Sequence, residues 1–323
     1  MAFEAAVVLI KGIILIALLM LAAAYMTLLE RVVMARLQLR LGPNRVGPFG
    51  LLQPIADGIK LLTKERFQPH EIETFTYWLA PSISVFLALS IFVLIPFGGT
   101  VEIFGHPVTL QIADVSVGIV FLLALSSLAV YGVVLAGWSS NNRYSLLGGL
   151  RGTAQMISYE IPMGLSLLTV VLSAGTLNLS QIVEAQHNHW FVWSNPLGFI
   201  IYLITAFAET NRSPFDLPEA EQELTGGYHT EYGGMKFALF FLAEYVNILA
   251  VSSIAVTLFL GGWHGPADIP ILWFLVKVGV LVFFFIWVRA TLPRFRYDQL
   301  MSFGWKVLMP LATVNLIITS YFL

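Results

Sequence analysis

Eight stretches of this chain run for about twenty residues with scarcely a charge, and they limit the fold more than any other feature. They cover residues 5–29, 77–97, 115–138, 154–175, 190–209, 235–260, 271–290 and 303–323. Twenty apolar residues make a helix about 30 Å long, the thickness of a bilayer's hydrocarbon core. Composition agrees, with 58% hydrophobic and 11% charged residues, against roughly 45–50% and ~25% in soluble domains. The first stretch is too long for a removable signal peptide and lacks its small-residue cleavage site. Pro81, Pro96, Pro162 and Pro196 fall in or near these stretches, where packed neighbours can satisfy the backbone groups a proline frees. The expectation is an all-α polytopic membrane protein of about eight transmembrane helices, forming one membrane domain over residues 1–323.

Charge predicts the orientation. Fifteen of the seventeen basic residues fall in alternate loops: Arg31, Arg36, Arg40, Arg45, Lys60, Lys64 and Arg66, then Arg143 and Arg151, then Arg212 and Lys236, then Arg289, Arg294, Arg296 and Lys306. Only Lys11 and Lys277 remain, inside apolar stretches. The positive-inside rule puts the four basic loops in the cytoplasm and both termini on the other side. Within the first loop, residues 49–64 carry Leu52, Ile55, Ile59 and Leu62 on one helical face and Gln53, Asp57, Lys60 and Lys64 on the other. That segment is too short to span and predicts an amphipathic helix on the cytoplasmic surface, either an interfacial anchor or the polar wall of a cavity.

Several function classes fall away. A net charge of −2 argues against a nucleic-acid partner. The absence of cysteine removes disulfides, cysteine nucleophiles, thiolate zinc sites and cysteine-held iron–sulfur clusters. No phosphate-cradling glycine loop and no nucleophile elbow is present. His70-Glu71 begins like a zinc-protease helix, but Thr74 stands where the second histidine belongs. His187 and His189 lack a clear third ligand and suit a solvated loop.

Acids stand out instead. Glu160, Glu209 and Glu244 lie in three consecutive apolar stretches, where an ionised side chain costs roughly 2.5–3.5 kcal/mol at a helix centre. A single such acid could be a neutral packing residue; three in succession suggest a proton or ion path. The loop over 210–234 crowds Asp216, Glu219, Glu221, Glu223 and Glu231 among Phe215, Leu217, Leu224, Tyr228 and Tyr232. Apolar residues laced through an acidic run imply a docked loop rather than a solvated one. Arg289, Arg294 and Arg296 are candidates to pair with its acids, and Glu30-Arg31 marks the inner end of the first stretch.

Longer motifs carry a resemblance. Gly42-Pro43-Asn44-Arg45-Val46-Gly47, Tyr144-Ser145-Leu146-Leu147-Gly148, Ser158-Tyr159-Glu160 and the run Pro214-Phe215-Asp216-Leu217-Pro218-Glu219-Ala220-Glu221-Gln222-Glu223-Leu224 resemble the H-subunit family of bacterial respiratory complex I, whose mitochondrial counterpart is subunit 1. Gly227-Tyr228-His229-Thr230-Glu231-Tyr232 and Arg294-Phe295-Arg296-Tyr297-Asp298-Gln299 extend the likeness over nearly the whole chain. The resemblance implies a bacterial plasma (inner) membrane subunit of a proton-pumping NADH:quinone oxidoreductase, not catalytic alone. It implies a quinone chamber at Glu30, Arg31, Arg36, Asp57, Lys60, Phe215 and Asp216. It implies a proton relay through Glu160, Glu209, Glu219, Glu221, Glu223, Glu231 and Glu244. Quinone would be a substrate, while FMN and iron–sulfur clusters would sit in partners: the peripheral-arm subunits with the terminal cluster, beside small membrane and antiporter-like subunits. One position departs from the family. Many members carry an acid where this chain has Ser127, before Leu128-Ala129-Val130-Tyr131, so a relay step there would need water or be bypassed. The rival readings are the membrane anchor of a related hydrogenase or ferredoxin-linked complex, and a stand-alone ion carrier.

Overall fold

The computed structural model describes residues 2–65, 69, 72–103, 106–218, 226–266 and 269–322. Its helices are α1 (Ala2–Leu37), α2 (Gln53–Thr63), α3 (Thr74–Ile91), α4 (Gly118–Ser139), α5 (Arg143–Ala174), α6 (Leu179–Ala185), α7 (Phe191–Ser194), α8 (Pro196–Glu209), α9 (Met235–Phe259), α10 (Pro270–Thr291), α11 (Tyr297–Phe303) and α12 (Met309–Phe322). A short antiparallel hairpin, β1 (Thr100–Ile103) with β2 (His106–Thr109), follows α3. Among the described residues seven helical segments are long and apolar enough to cross a membrane, the last combining α11 and α12, and α8 is a shorter apolar helix. The chain is therefore an all-α polytopic membrane protein.

Several elements differ in extent from the sequence reading. The second span's helix ends at Ile91 rather than at 97, the last span begins at Tyr297 rather than at 303, and three others differ more. The first helix continues to Leu37 over 36 residues, which at 1.5 Å each overruns the bilayer core. The fourth span begins earlier, at Arg143, because the Asn142 side chain accepts from Tyr144 N at 2.9 Å and caps the helix there. The fifth span is broken. Pro196 has no N–H to continue a helix from Phe191–Ser194, and the Asn195 side chain instead accepts from Gly198 N at 2.9 Å to start α8. At 14 residues α8 is about 21 Å long, short of a bilayer core. Its Ile201, Tyr202, Thr205 to Glu209 are buried, so protein rather than lipid surrounds its inner end.

Close packing holds this bundle together. α3 lies against α4 and α9, while α5 touches α4, α8 and α12. Glycine permits the tightest approaches. A Cβ at Gly148 would come within 2.8 Å of the Gly227 backbone, and one at Gly152 within 2.8 Å of Pro218. That glycine face of α5 lets the loop after α8 lie directly on the helix, where Ser145 Oγ donates to Tyr228 O at 2.8 Å. At the other crossing a Cβ on Gly137 of α4 would meet Ser145 O at 2.8 Å.

The two ends of the bundle are distinct. At one end the basic segments converge: Tyr77 Oη donates to Glu231 O at 2.6 Å, Asn142 Nδ2 to Glu231 Oε1 at 2.6 Å, and Phe295 N to Pro214 O at 3.1 Å. The opposite end is tied by neutral amides and two lysines. Asn178 Nδ2 donates to Asp114 at 2.7 Å, Gln186 Nε2 to Thr257 O at 2.9 Å, and Lys11 Nζ to Thr109 O at 2.7 Å. There the His187 and His264 rings meet edge-on at 5.0 Å between centroids.

Burial lowers the His264 pKa below the ordinary histidine value, and the neighbouring His187 and Lys277 lower it further. The unfolded turn therefore takes up its proton first, so this contact is at full strength above about pH 6.5 and weakens as pH falls below it. Amide protection of residues 261–264, corrected for intrinsic exchange rates, is expected to fall between about pH 7.5 and about pH 5.5. His264→Gln should flatten that dependence; pH-independent protection in the unmodified chain would contradict it.

Candidate functional site

A carboxylate buried at the inner end of α1 organises the site. Glu30 is 4% exposed, too buried to hold a charge without partners. Arg289 of α10 pairs with its Oε1, Arg212 lies 3.4 Å from the same oxygen, and Tyr245 Oη donates to Oε2 at 2.7 Å. Arg212, from the loop that follows α8, also pairs through Nε with Glu244 of α9 and lies 4.7 Å over the Tyr245 ring. Two carboxylates and two guanidiniums thus balance in one cluster joining α1, the loop after α8, α9 and α10. Charges of this kind survive burial only when paired and hydrogen-bonded.

Tyr245 has a second face. It lines a cavity of about 580 Å3 enclosed by α1, α2 and the start of α9, within the range of small-molecule pockets, ~300–1,000 Å3. Ala23, Ala24, Phe241 and Leu242 give it apolar walls, and Arg31, Asp57, Lys60 and Lys64 supply polar groups. Arg31 donates to Asp57 at 2.6 Å across the gap between α1 and the surface helix, and Gln53 Nε2 holds the other Asp57 oxygen at 3.0 Å. The polar face of residues 49–64 is thereby turned toward a cavity, while Ile55, Ile59 and Leu62 stay exposed on the opposite face. Arg36, in the last turn of α1, is exposed.

The acids of the apolar stretches follow inward. Glu244 and Glu209 both line a small cavity of about 40 Å3 with Asn211 and Asn247. Glu209, Asn247, Ser126 and Tyr202 line another of about 30 Å3. One water needs ~10–15 Å3 by this measure, and both cavities offer polar partners for it. Glu160 of α5 accepts from the Ser127 hydroxyl of α4. The position where members of the resembled family often have an acid thus carries a hydroxyl that contacts the next acid directly.

The described parts of the loop after α8, residues 210–218 and 226–234, are docked. Phe215 is buried against Tyr159 and Phe295, and Gln155 Nε2 donates to Phe215 O at 2.7 Å and Ala208 O at 2.9 Å. Asp216, 6% exposed, takes Arg294 at 2.7 Å. Arg289 reaches Glu30, and Arg296 pairs with Asp298 beside it. Glu231 is held by Asn142, and the Tyr232 hydroxyl lies 3.0 Å from Ser139. Burial pushes the Tyr232 phenol above the ordinary tyrosine value, so it stays protonated and able to donate. Glu219, Glu221 and Glu223 lie outside the described residues, as do His70 and Glu71. Among the described residues no group of three or more His, Asp or Glu is placed to hold a metal ion.

Sequence reasoning did not single out Arg212 and Tyr245 as site residues. Arg212 counted only toward the charge of a basic loop. Its signal was its place three residues beyond the buried Glu209, and Tyr245 adjoins Glu244.

Comparison with known proteins gives the family of the chain. The family model described as NADH dehydrogenase matches residues 10–320, a range that holds the cavity and all the acids named above. This chain belongs to that family. It is 79% identical over 301 residues to the NADH-quinone oxidoreductase H subunit of Protochlamydia amoebophila, covering 93% of each chain. It is 56% identical to the first of the numbered H subunits of Geobacter metallireducens, over 93% of this chain and 92% of that one. The second H subunit of Syntrophobacter fumaroxidans is 52% identical over 97% of this chain and 95% of its own.

Removing one member of the buried cluster should expose its cost. Arg212→Met removes the guanidinium that Glu30 and Glu244 share, leaving Glu30 to Arg289 and Tyr245, and losing one partner of a buried ion pair typically costs about 3–5 kcal/mol. The thermal midpoint of the purified chain in its assembly is expected to fall by several degrees, with Arg212→Lys recovering part. A midpoint unchanged in Arg212→Met would contradict the cluster.

Proposed function

We propose that this chain is the membrane subunit of a proton-pumping NADH:quinone oxidoreductase, where it helps form the chamber for quinone and passes the effect of quinone reduction to a row of buried acids. It is one membrane domain of a larger enzyme and not catalytic alone. The observation that carries this reading is the 580 Å3 cavity whose wall residue Tyr245 also donates to buried Glu30. The relatives are named as H subunits of NADH-quinone oxidoreductase, which supports the quinone enzyme over a hydrogenase- or ferredoxin-linked anchor. Such an enzyme needs flavin and iron–sulfur clusters; a chain without cysteine offers no thiolates for a cluster. Those groups belong to partners in this reading, in peripheral-arm subunits at the basic end, with small and antiporter-like membrane subunits alongside.

The chemistry follows from the geometry. A quinone ring in the cavity meets apolar walls for its tail and Arg31, Asp57 and Lys60 for its head. Its two-electron reduction takes up two protons, which changes the charge balance beside Tyr245 and Glu30. The Glu30–Arg212–Glu244 cluster is the nearest set of charges able to answer. Glu244 shares its small cavity with Glu209, and a water there would let a proton pass between them. Glu160, with Ser127, extends the row, and Glu219, Glu221, Glu223 and Glu231 belong to the same relay. Phe215 and Asp216 anchor the start of the loop after α8, Phe215 by burial and Asp216 through Arg294. The convergence of basic segments at one end supports a cytoplasmic placing of that end, with the termini opposite.

Two measurements test the reading. The tagged chain, withdrawn gently in detergent, is expected to bring flavin, iron–sulfur clusters and NADH–quinone activity with it; a colourless chain stable alone would contradict it. Within that assembly, Ala24→Phe adds bulk to the cavity wall. Overpacking of about 1–3 kcal/mol should raise the KM for quinone at least about fivefold while kcat changes less. An unchanged KM would remove quinone from this cavity.

A further inference from the structure

The two small cavities beside Glu209, of about 40 and about 30 Å3, meet at a residue to which the row of acids gives no role. One face of α9 lines both. Ala243 and Glu244 border the larger, Ala250, Val251 and Ile254 border the smaller, and Asn247 borders both. These positions recur at helical spacing, so they form one stripe with Asn247 at the junction. Glu209 of α8 is an acid common to both cavities.

The two spaces differ in polarity. The larger gathers Ser84, Thr210, Asn211 and Glu244 around it. Besides the shared Glu209 and Asn247, the smaller has only Ser126 and Tyr202 as polar lining. Tyr202 Oη already donates to Val251 O at 2.9 Å, and Ser126 Oγ to Leu123 O at 3.0 Å, so both keep lone pairs but no free donor. A water in the smaller space is therefore held mainly at its junction end. Asn247 and Glu209 are placed to hold it. Among the described residues neither side chain takes part in a hydrogen bond or ion pair, although Glu209 is 8% exposed. The Ser252 hydroxyl and the Asn315 amide nitrogen are enclosed by protein without a partner. The polar atoms of Asn247 and Glu209 instead stay open to the cavities they line.

We propose that Asn247 is a positioning residue, holding the water through which Glu209 passes its proton across the junction. This rests on the reading of these acids as a proton row. The Glu209 carboxyl gives its proton to the held water, which gives one of its own to a second water in the smaller cavity. Only O–H bonds break and form. At about 30 Å3 that cavity has room for about two waters. Its lining includes Ser126, whose neighbour Ser127 donates to Glu160. An amide suits the junction because it donates and accepts at once and does not titrate. It orients a water whether the carboxyl beside it is protonated or ionised, and it does not capture the passing proton.

The test starts with a high-resolution cryo-electron map of the purified assembly. Water density is expected within hydrogen-bond reach of both the Asn247 amide and the Glu209 carboxyl. No density there would overturn the proposal, whether or not any variant assembles. Asn247→Leu is close in volume and removes donor and acceptor, while Asn247→Ser restores both on a smaller side chain. In vesicles of the assembled enzyme, Asn247→Leu should cut the initial rate of proton translocation about two- to tenfold, the effect of one hydrogen bond. Asn247→Ser should recover about half of that loss or more. Equal loss in both variants would reduce Asn247 to packing and overturn its role. Glu209→Gln, run in parallel, separates the proposal from the reading beneath it. Loss in Glu209→Gln without loss in Asn247→Leu would overturn the role of Asn247 alone. No loss in Glu209→Gln would overturn the proton row, and the proposal with it.

Discussion

A carboxylate inside a membrane protein must be neutralised by its neighbours, and Glu30 is neutralised by groups from three separate parts of the chain. Arg289 comes from α10, Arg212 from the loop after α8 and the Tyr245 hydroxyl from α9. Because Arg212 is shared with Glu244, the cluster also fixes the second acid. A change in charge next to one member is felt by the others, since buried charges interact through a low dielectric. Tyr245 of this cluster lines the cavity against α2, and Glu244 lines a small cavity that it shares with Glu209. The architecture therefore places a charge-balanced knot between a ligand-sized space and a row of acids.

How the helices reach that arrangement depends on features of different reach along the chain. The spans and the sidedness of charge were legible because they arise from local composition: apolar runs and the distribution of lysine and arginine. The amphipathic surface helix was legible for the same reason, since Leu52, Ile55, Ile59 and Leu62 recur at helical spacing. The break at Asn195-Pro196 was less so. The apolar run continues through it, and only the proline's missing N–H and the asparagine's capping bond end one helix and start another. The overlong α1 was hidden because Glu30, Arg31 and Arg36 interrupt the apolar run, which Val32, Val33, Met34, Ala35 and Leu37 otherwise continue.

The site was legible in its acids and not in their partners. Glu160, Glu209 and Glu244 announce themselves as charges in apolar surroundings. What each one touches is a matter of tertiary contact: Glu30 and Arg289 are 259 positions apart, and Glu30 and Tyr245 are 215 apart. No periodicity relates such residues. Arg294 reaches Asp216, while Arg296 is taken by Asp298 two residues on. Choosing among three nearby arginines required the path of the chain. The hydroxyl of Ser127 is similar: the sequence marks it as a departure, and the fold gives it Glu160 as a partner.

The Tyr245 hydroxyl joins the cavity wall to buried Glu30, so Tyr245→Phe tests the proposed connection most directly. The variant keeps the ring, the stacking on Arg212 and the cavity wall, and it removes the hydroxyl that donates to Glu30 and accepts from Arg212. In vesicles of the assembled enzyme, protons moved per NADH oxidised would be measured with the rate of quinone reduction. The account predicts that the proton ratio falls clearly while the reduction rate is largely kept. An unchanged ratio, or a ratio and rate that fall strictly together, would contradict it.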